Sequence, residues 1–339
     1  MFLFSTELQL WYNQNKRDLP WRHTCDPYYI WISEVILQQT RVQQGLAYYI
    51  KFTEHFPNIK TMADASEQDV LNLWQGLGYY SRARNMLKTA KFVVSNFDGN
   101  FPNNYLELMK LPGVGKYTAA AVASFAFNLP YAVVDGNVYR VLSRFFNSSQ
   151  FIDTSAGQQF FQSLADELLD HKNPSLHNQA IMELGALVCT PMKPKCELCP
   201  LAQSCESQAL KSWDVLPKKK GKVKVRMRTF NYFIYAKDDS ILIQKRDDKD
   251  IWANMYEPIL IEGDVIPDFL SEQVHFIKQV KHKLTHQNLL VNFFQVLNYE
   301  PLPFNDSAIM IGLEDLKNYP LPRVIEKFFQ DELLLSIRS

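Results

Sequence analysis

The chain has little of what marks a secreted or membrane protein. It holds five cysteines in 339 residues, and its amino terminus, MFLFSTELQLW, carries Glu7 and no basic stretch of the kind that begins a signal peptide. The most apolar run, residues 119–134, is interrupted by Ser124, Asn128 and Pro130 and is too short to span a bilayer. We therefore expect a protein of the reducing cytoplasm without a membrane partner, associated with the nucleoid if the source is bacterial.

The chain also lacks net charge, because 36 basic residues balance 36 acidic ones. Overall neutrality argues against a nucleic-acid-binding protein, but the charges are unevenly distributed. Residues 211–228 hold eight basic side chains against Asp214 alone, whereas residues 1–205 hold 17 of each sign. A basic run of this kind is usually a solvated linker. It is nevertheless the one strongly positive stretch available to phosphates.

The spacing of apolar residues changes at this basic run. Before it, helical spacing predicts helices within residues 70–76, 81–94, 117–127, 138–146 and 157–170. After it, Phe230 to Tyr235 and Ile241 to Gln244 flank a polar turn and predict a β-hairpin, Leu289 to Val296 predicts another strand, and residues 321–329 predict a closing helix. We expect an all-α domain over residues 1–206, a basic linker over 207–227 and an α+β domain over 228–339.

Four of the five cysteines, Cys189, Cys196, Cys199 and Cys205, fall within one short segment. Soft thiolate ligands favour an iron-sulfur cluster or zinc over hard cations. Zinc sites usually contain two separated C-x2-C pairs. Here a single pair is flanked by cysteines with six and five intervening residues, which favours a cluster. Two disulfides are disfavoured in a reducing compartment. The residues alone leave iron-sulfur and zinc as alternatives.

Two carboxylates stand out as candidates for acid–base chemistry. Glu34 lies in the apolar helix WISEVILQQT, where burial would raise its pKa towards neutrality, although a partly exposed position on the helix edge is the simpler interpretation. Asp135 precedes a helical run and is most simply an N-cap, a position that also favours an ionised carboxylate. A protonated Glu beside an ionised Asp is a sufficient pair for cleaving a glycosidic bond through a cationic sugar.

The pentapeptide LPGVG at residues 111–115 separates two helical segments. Gly113 and Gly115 permit positive φ and close backbone approach, so the first amides of the following helix could point at an anion. An ordinary tight turn between helices is the alternative interpretation. An anion bound by backbone amides would need little net positive charge around it.

The segments SEVILQQT, GLGYYSRARN, LPGVG and VDGNV, together with the cysteine loop, resemble the MutY branch of the endonuclease III group of helix-hairpin-helix DNA glycosylases. The resemblance implies an all-α glycosylase domain, made of a six-helix module over about residues 25–130 and a cluster module from the N-terminal helix plus 131–206. A C-terminal Nudix-like domain would follow. It further implies excision of adenine opposite 8-oxoguanine or guanine in double-stranded DNA, after base flipping, in base excision repair.

The resemblance assigns roles to individual residues. Glu34 would protonate the adenine, Asp135 would stabilise the sugar cation and Asn137 would support Asp135. The four cysteines would ligate a 4Fe-4S cluster. The remaining candidates are two residues expected to wedge into the duplex, Gln39 and Tyr79, two expected in the adenine pocket, Arg22 and Gln179, and the two glycines of the hairpin.

The chain departs from this group at two places. Lyase-type members carry a lysine nucleophile where Tyr117 stands, and a tyrosine cannot form a Schiff base, so a monofunctional enzyme is expected in which Tyr117 assists Asp135 by hydrogen bonding. In the C-terminal domain the glutamate cluster of Nudix hydrolases is missing. Leu284, Thr285 and His286 stand where the family has the Phe-Ser-His loop that recognises 8-oxoguanine; without the resemblance, a polar turn is the simpler interpretation of Thr285 and His286.

Two other functions stay open at the level of sequence. A pyrimidine-damage glycosylase with lyase activity would form a covalent adduct that borohydride traps. A non-catalytic iron-sulfur DNA-binding module would bind mismatches without releasing a base. The resemblance also suggests a monomer and a coupling to repair or replication factors, for which the sequence shows no clear docking peptide.

Overall fold

The structure, a computed structural model, describes residues 2–221, 225–265, 273–284, 286–297 and 308–333. Its contacts divide the chain into two compact units. The first unit holds Met1–Asp64 and Asn85–Gly221, and the second holds Ala65–Arg84 and Lys222–Ser339. No helix within the described ranges is long and apolar enough to cross a membrane.

Helices build the first unit. In chain order the α-helices of the described residues are α1 Phe2–Asn15, α2 Pro27–Leu37, α3 Val42–His55, α4 Ile59–Ala63, α5 Glu67–Trp74, α6 Ser81–Phe97, α7 Tyr105–Leu108, α8 Lys116–Phe127, α9 Gly136–Phe145, α10 Ser155–Leu168, α11 Pro174–Leu187, α12 Glu206–Leu210 and α13 Arg323–Phe328. Helix α5 and the first turn of α6 belong to the second unit, as does α13. The helices predicted from apolar spacing are present.

Helix α2 is the central helix of the catalytic region. Pro27 occupies its first turn, and the Asp26 carboxylate caps it by accepting a hydrogen bond from the Tyr28 amide at 2.8 Å. Residues from Ile30 to Ile36 are buried without interruption, as expected for a helix that is apolar all round. Helices α3 and α8 pack against it, so a polar side chain between Ile30 and Ile36 is removed from water.

A second group of helices forms a core of its own in the first unit. Apolar side chains of α1, α9, α10 and α11 pack together there, with Leu8, Leu142, Phe161 and Ala180 fully buried. This core holds α9 and α11 side by side. It thereby fixes the start of α9, where Asp135 lies, against α11.

The second unit combines strands with short helices. Its strands are β1 Arg226–Ile234, β2 Ala236–Lys237, β3 Ser240–Lys245, β4 Tyr256–Glu257, β5 Ile259–Glu262, β6 Val274–Lys283, β7 Gln287–Val296 and β8 Ile309–Gly312. Among the described residues one sheet has the order β5-β1-β7-β6, and β1 runs parallel to β7. The other sheet joins β2, β3 and β4, with β8 pairing to β3. The Phe293 ring stacks on the Phe328 ring of α13, with 3.8 Å between the ring centroids, and so packs α13 against the core of this unit.

The predicted β-hairpin is only partly correct. Strand β3 pairs with the two residues of β2, Ala236 and Lys237, whereas the apolar run from Phe230 to Ile234 pairs with β5 and β7 in the other sheet. The reason is burial: β1 is buried along its second half and needs a neighbour on each edge, which a short hairpin does not supply. The strand predicted at residues 289–296 and the closing helix are confirmed as β7 and α13.

The structure divides the chain differently from the limits predicted by composition. Much of the basic segment expected to be a linker belongs to the first unit. The Lys220 amide donates to Asp153 at 2.8 Å, the Ile152 amide donates to the Lys218 carbonyl at 3.0 Å, and Arg144 donates to Leu216. These hydrogen bonds hold the backbone of the segment in place although its lysines are solvated. Composition records the charge of a segment and not the bonds its backbone makes.

Candidate active site

Glu34 is buried in the middle of α2, with 5% of its surface exposed. Burial raises its pKa to about 7, with a smaller contribution from the negative charge of Asp135. A hydrogen bond from Tyr117 and the positive charge of Arg22 act in the opposite direction. The sequence-based expectation of a carboxyl group that stays protonated near neutral pH agrees with this environment. The simpler alternative, an exposed Glu on the helix edge, is wrong.

Tyr117 is the direct partner of Glu34. Its hydroxyl donates a hydrogen bond to Glu34 Oε2 at 2.5 Å, and burial holds the pKa of Tyr117 well above its usual value. The prediction that Tyr117 hydrogen-bonds to Asp135 is therefore wrong. The physical reason is the packing of α8 on α2, which points the side chain of the first turn of α8 at the buried carboxyl group.

Asp135 caps helix α9, as predicted. One carboxylate oxygen accepts the amides of Asn137 and Val138, each at 2.8 Å, and the other accepts the Asn137 side-chain amide at 2.7 Å. Burial nevertheless raises the pKa of Asp135, against the lowering effect of these hydrogen bonds and of Arg140. The expected lowering by the helix terminus is thus outweighed by the partial burial of the Asp135 side chain.

Glu34 and Asp135 line the same pocket. The cavity has a volume of about 200 Å³, several times the roughly 30 Å³ that one water occupies in the liquid. Four other predicted residues contribute to its wall: Tyr117, Asn137, Arg22 and Gln179. Gln179 is oriented by the Tyr12 hydroxyl, which donates to its Oε1 at 2.9 Å. The fold therefore brings six of the predicted site residues together from α2, α8, α9, α11 and the loop before α2.

Glu183 is a pocket residue that the sequence reasoning missed. It lies in α11 with its side chain fully buried, and it receives paired hydrogen bonds from Arg17 and Arg22. Burial alone would raise its pKa, but the hydrogen bonds from the two guanidinium groups outweigh burial and lower the pKa to about 2. Arg22 is thus held in the wall by a permanent anion. A single glutamate within an apolar helix was the available signal, the same one that identified Glu34.

The raised pKa of Glu34 predicts a pH-dependent stability. The pKa of this carboxyl group is near 4.5 in the unfolded chain and near 7 in the folded one. The contribution of Glu34 to the free energy of unfolding is therefore fully present below about pH 4.5 and is lost as the pH rises through about 7. Glu34→Gln removes this loss and keeps an acceptor for Tyr117. We expect the variant to exceed the wild type by up to about 3 kcal/mol in unfolding free energy at pH 8, and by much less at pH 5. Urea unfolding at both pH values measures this, and a difference independent of pH would contradict it.

The loop before α8 has the geometry expected for an anion site. Gly113 has φ +73, and a side chain there would collide with Asn85, so glycine is required. Gly115 is different from the prediction: it is the N-cap of α8 with an extended backbone, and a β-carbon at Gly115 would meet open space. Because glycine has no side chain with which to cap the helix, the first amides of α8 are left for another acceptor.

Two predicted DNA-wedging residues have unusual backbones. Gln39, just beyond the end of α2, is exposed and has φ +59. Tyr79 of the second unit is 47% exposed and has φ +49. Residues other than glycine rarely adopt this conformation, and such strain concentrates at functional sites.

The four clustered cysteines line one pocket in the first unit. None of these four cysteines forms a disulfide, and burial, with the mutual repulsion of the sulfurs as thiolates, raises the pKa of Cys199. Arg144 lies against them and donates to Cys189 Sγ at 3.4 Å. In the part of the chain that the structure describes, no three His, Cys, Asp or Glu side chains surround a single metal-ion position. Four soft donors around one cavity fit a polynuclear sulfur-ligated group.

A hydrogen-bond chain joins the cysteine loop to Asp135. Asn137 donates to Asp135 and accepts from Arg140 Nη2, each at 2.7 Å. Arg140 in turn donates to the carbonyls of Cys189 at 2.6 Å and Gly185 at 2.7 Å. The hydrogen bond from Asn137 to Asp135 is consistent with the predicted role of Asn137 as a support for Asp135. Arg140, which sequence reasoning missed, extends the support to the loop.

The predicted lesion-recognition residues, Thr285 and His286, fall between β6 and β7 in the sequence. Thr285 is outside the described residues. His286 is exposed; its carbonyl accepts the Arg226 amide at 3.2 Å, and its ring lies 3.3 Å from the Gln287 side-chain amide. The ring of His286 is therefore available at the surface of the second unit.

Comparison with known proteins assigns a family to both units. The HhH-GPD superfamily of base excision DNA repair proteins matches residues 32–166, and the NUDIX domain matches residues 231–331. An adenine DNA glycosylase of Buchnera aphidicola subsp. Baizongia pistaciae is 34% identical over 341 residues, which cover 96% of this chain and 95% of the relative. The chain belongs to the adenine DNA glycosylase family. The predicted fold class, a helix-hairpin-helix glycosylase domain followed by a Nudix-like α+β domain, is confirmed.

Another adenine DNA glycosylase and two solved structures are also similar to this chain. The adenine DNA glycosylase of Mus musculus is 42% identical over 213 residues, 60% of this chain and 41% of that protein. A thermostable thymine-DNA glycosylase superposes with a TM-score of 0.57 at 31% identity, covering 61% of this chain and 95% of that one. A trapped endonuclease III–DNA covalent intermediate, at 24% identity and a TM-score of 0.53, covers 61% and 94% and supports the fold.

Proposed function

We propose that the protein is a monofunctional DNA glycosylase that excises adenine paired with 8-oxoguanine or guanine in double-stranded DNA. The observation that carries this proposal is the shared pocket of Glu34, with a pKa of about 7, and the N-cap carboxylate Asp135. Membership of the adenine DNA glycosylase family, over nearly the full length of both chains, supports adenine as the base released. Base excision repair is the process in which such an activity works, in a reducing cytoplasm.

The chemistry assigned to the pocket needs one proton donor and one anion. Glu34 donates its proton to N7 of a flipped adenine, the bond between N9 and the sugar breaks, and positive charge develops on the sugar. Asp135 stabilises that charge as a carboxylate. Glu34, now ionised, then accepts a proton from the water that attacks C1′. Tyr117 keeps Glu34 in position throughout, because its hydroxyl can donate to the ionised oxygen as it does to the neutral group.

A monofunctional reaction follows from the residues of the pocket wall. Tyr117 stands where lyase-type relatives carry a lysine, and it is committed to Glu34 by a 2.5 Å hydrogen bond. Neither a phenol nor a carboxylate forms an imine with the sugar aldehyde. We therefore expect the product to be an abasic site in an intact strand, which borohydride does not trap on the protein.

DNA binding is assigned to the loop at residues 111–115 and the first amides of α8. These amides have no capping side chain because Gly115 is the N-cap, and they would bind a phosphate together with the positive end of the helix dipole. Gln39 is proposed to contact the duplex from the end of α2. In the second unit, His286 is proposed to contact the base opposite the adenine.

A 4Fe-4S cluster is proposed at Cys189, Cys196, Cys199 and Cys205. The four thiols line one cavity beside Arg144, whose side chain donates to Thr190 and Pro191 carbonyls as well as to Cys189 Sγ. When bound, the cluster would cross-link the loop and supply a redox centre. Arg144 and Arg140 hydrogen-bond to backbone carbonyls of the loop. They would therefore hold the loop against α9 whether the cluster has a structural or a redox role.

Cys199→Ser is expected to remove the cluster. The purified wild type should contain about four iron and four sulfide per chain with a broad visible absorption band, and the variant should lose most of both. Cys25→Ser, at the exposed cysteine outside the loop, is the matched control and should keep the wild-type content. Zinc in place of iron in anaerobically prepared protein, with no labile sulfide, would contradict the assignment.

Base release from a defined duplex tests the proposed function. The substrate is an end-labelled duplex with adenine opposite 8-oxoguanine, and alkali after the reaction should cleave the adenine strand at that position. Omitting alkali should leave the strand intact. A duplex with thymine glycol opposite adenine tests the pyrimidine-damage alternative. Folded, cluster-containing protein that binds the first duplex and releases no adenine would overturn the proposal in favour of a non-catalytic module.

A further inference from the structure

Residues 65–84 belong to one domain by sequence family and to the other unit by their contacts. They fall inside the range that matches the HhH-GPD superfamily, yet they form one compact unit with the C-terminal part of the chain. The segment consists of α5, a loop over residues 75–80 and the first turn of α6. Tyr79, the exposed aromatic residue with positive φ, lies in this loop. The placement of Tyr79 is therefore tied to residues far from it in sequence.

One connection joins helix α5 to the backbone near β8. Gln68 Nε2 and Asn72 Nδ2 donate to the same carbonyl oxygen, that of Asn318, at 2.7 and 2.8 Å. Gln68 and Asn72 are four residues apart and so lie on one face of α5. Asn318 ends the 3-10 segment Leu313–Asn318, where a carbonyl lacks a partner within its own helix. Both lone pairs of this oxygen are thus used to hold α5.

A second connection joins the ends of the segment to the turn after β3. Arg84 Nη1 donates to the buried Ala253 carbonyl at 2.8 Å, and the Asn254 side chain donates to Glu67 Oε1 at 2.8 Å. Trp252 and Asn254, on either side of Ala253, have φ of +57 and +62. A tryptophan seldom adopts this conformation without surrounding contacts that enforce it. The turn is thus shaped so that one carbonyl and one amide side chain meet the segment.

The loop that carries Tyr79 is itself fixed to α5 and α6. Trp74 Nε1 and Arg82 Nη2 both donate to the Gly78 carbonyl, at 2.9 and 3.1 Å. The Arg82 guanidinium lies 4.8 Å from the Trp74 ring centroid and 5.7 Å from that of Tyr79. Gly76 and Gly78 have positive φ, which lets the loop fold this tightly. A displacement of α5 or of the start of α6 would therefore move Tyr79 with it.

We propose that the C-terminal domain positions Tyr79 on the DNA through these contacts, with Arg84 as the principal positioning residue. The proposal rests on the proposed function. It makes recognition of the base opposite the adenine depend on Arg84 without any contact between Arg84 and DNA. Proton donation by Glu34 should not depend on Arg84, since Glu34 belongs to the other unit.

A double-mutant cycle on the full-length protein tests the proposal. Arg84→Leu, Tyr79→Ala and the double variant are compared by the single-turnover rate constant of adenine release. Each is measured on duplexes with adenine opposite 8-oxoguanine and opposite guanine. Arg84→Leu should reduce the preference for 8-oxoguanine about 10-fold, and should have no further effect once Tyr79 is alanine. Arg84→Lys keeps one donor for Ala253 and should restore most of the preference.

Controls separate positioning from general destabilisation. Lys278→Gln removes a surface ion pair with Glu332 in the same unit and should leave the preference unchanged. If Arg84→Leu folds poorly, the pair Gln68→Leu and Asn72→Leu removes the Asn318 connection and should give the same pattern. Equal fold-losses of Arg84→Leu in the presence and absence of Tyr79, or equal losses on both duplexes, would overturn the inference. Absence of adenine release by the wild type would instead overturn the proposed function.

Discussion

Glu34→Gln is expected to reduce the rate of adenine release about 10³-fold, within the range attributed to general acid catalysis. Glutamine cannot protonate the base or accept a proton from water, but its carbonyl can still accept the Tyr117 hydroxyl. The fold and DNA affinity should therefore persist. Single-turnover release from the duplex with adenine opposite 8-oxoguanine measures the loss, with the equilibrium dissociation constant measured on the same duplex.

The wild-type rate should also depend on pH through Glu34. With a pKa of about 7 in the free protein, the fraction of protonated acid falls tenfold per pH unit above neutrality, and kcat/KM should fall with it. Glu54→Gln, at an exposed glutamate of α3, is the matched control and should retain wild-type release. A Glu34→Gln variant that loses less than tenfold would show that another group protonates the adenine.

Asp135→Asn is expected to reduce adenine release by about 10² to 10³-fold, the usual effect of removing one electrostatic contact to a transition state. The substitution separates the two roles of this residue, because asparagine caps a helix about as well as aspartate does. Asparagine keeps the oxygen that accepts the backbone amides of α9 but loses the acceptor for the Asn137 side chain. The free energy of unfolding should therefore fall by only about 1 kcal/mol, while the stabilising charge beside the sugar is lost. Release kinetics and the unfolding temperature, measured on the same preparation, give the two effects independently.

A second aspartate N-cap provides the comparison for Asp135. Asp26 caps α2 through the Tyr28 amide, and Asp26→Asn should keep both stability and activity near those of the wild type. If Asp135→Asn lowered the unfolding temperature strongly and activity only in proportion, Asp135 would be a structural cap and the stabilising anion would have to be found elsewhere in the pocket.

Local sequence was sufficient for the features that depend on near neighbours. The Asp135 cap followed from an acidic residue directly before a helical run. The burial of Glu34 did not follow in this way, because the pattern of α2 alone favoured a partly exposed side chain. The cysteine segment was identified by spacing alone. Both the cap and the cysteine spacing are determined within a short stretch of chain, where the periodicity of side chains is reliable.

Features that depend on distant segments were predicted wrongly or not at all. Tyr117 was assigned to Asp135, but the packing of α8 on α2 directs its hydroxyl to Glu34. The rise in the pKa of Asp135 follows from pocket walls built by other helices. The run from Phe230 to Ile234 was paired with its neighbour in sequence, whereas it lies parallel to β7, about sixty residues later. Glu183 was missed because its importance comes from Arg17 and Arg22 on another segment.

Short-range spacing and composition were enough to predict the helices of the first unit, the Asp135 cap and the group of four thiols, whereas the acid Glu34 was indicated by the family resemblance. Packing between distant segments determines which groups meet: Glu34 with Tyr117, Asp135 with the cysteine loop through Arg140, and residues 65–84 with the C-terminal part of the chain. The physical reason is that burial and hydrogen-bond pairing depend on which elements pack together. These interactions, and not residue type, set the pKa of each carboxyl group.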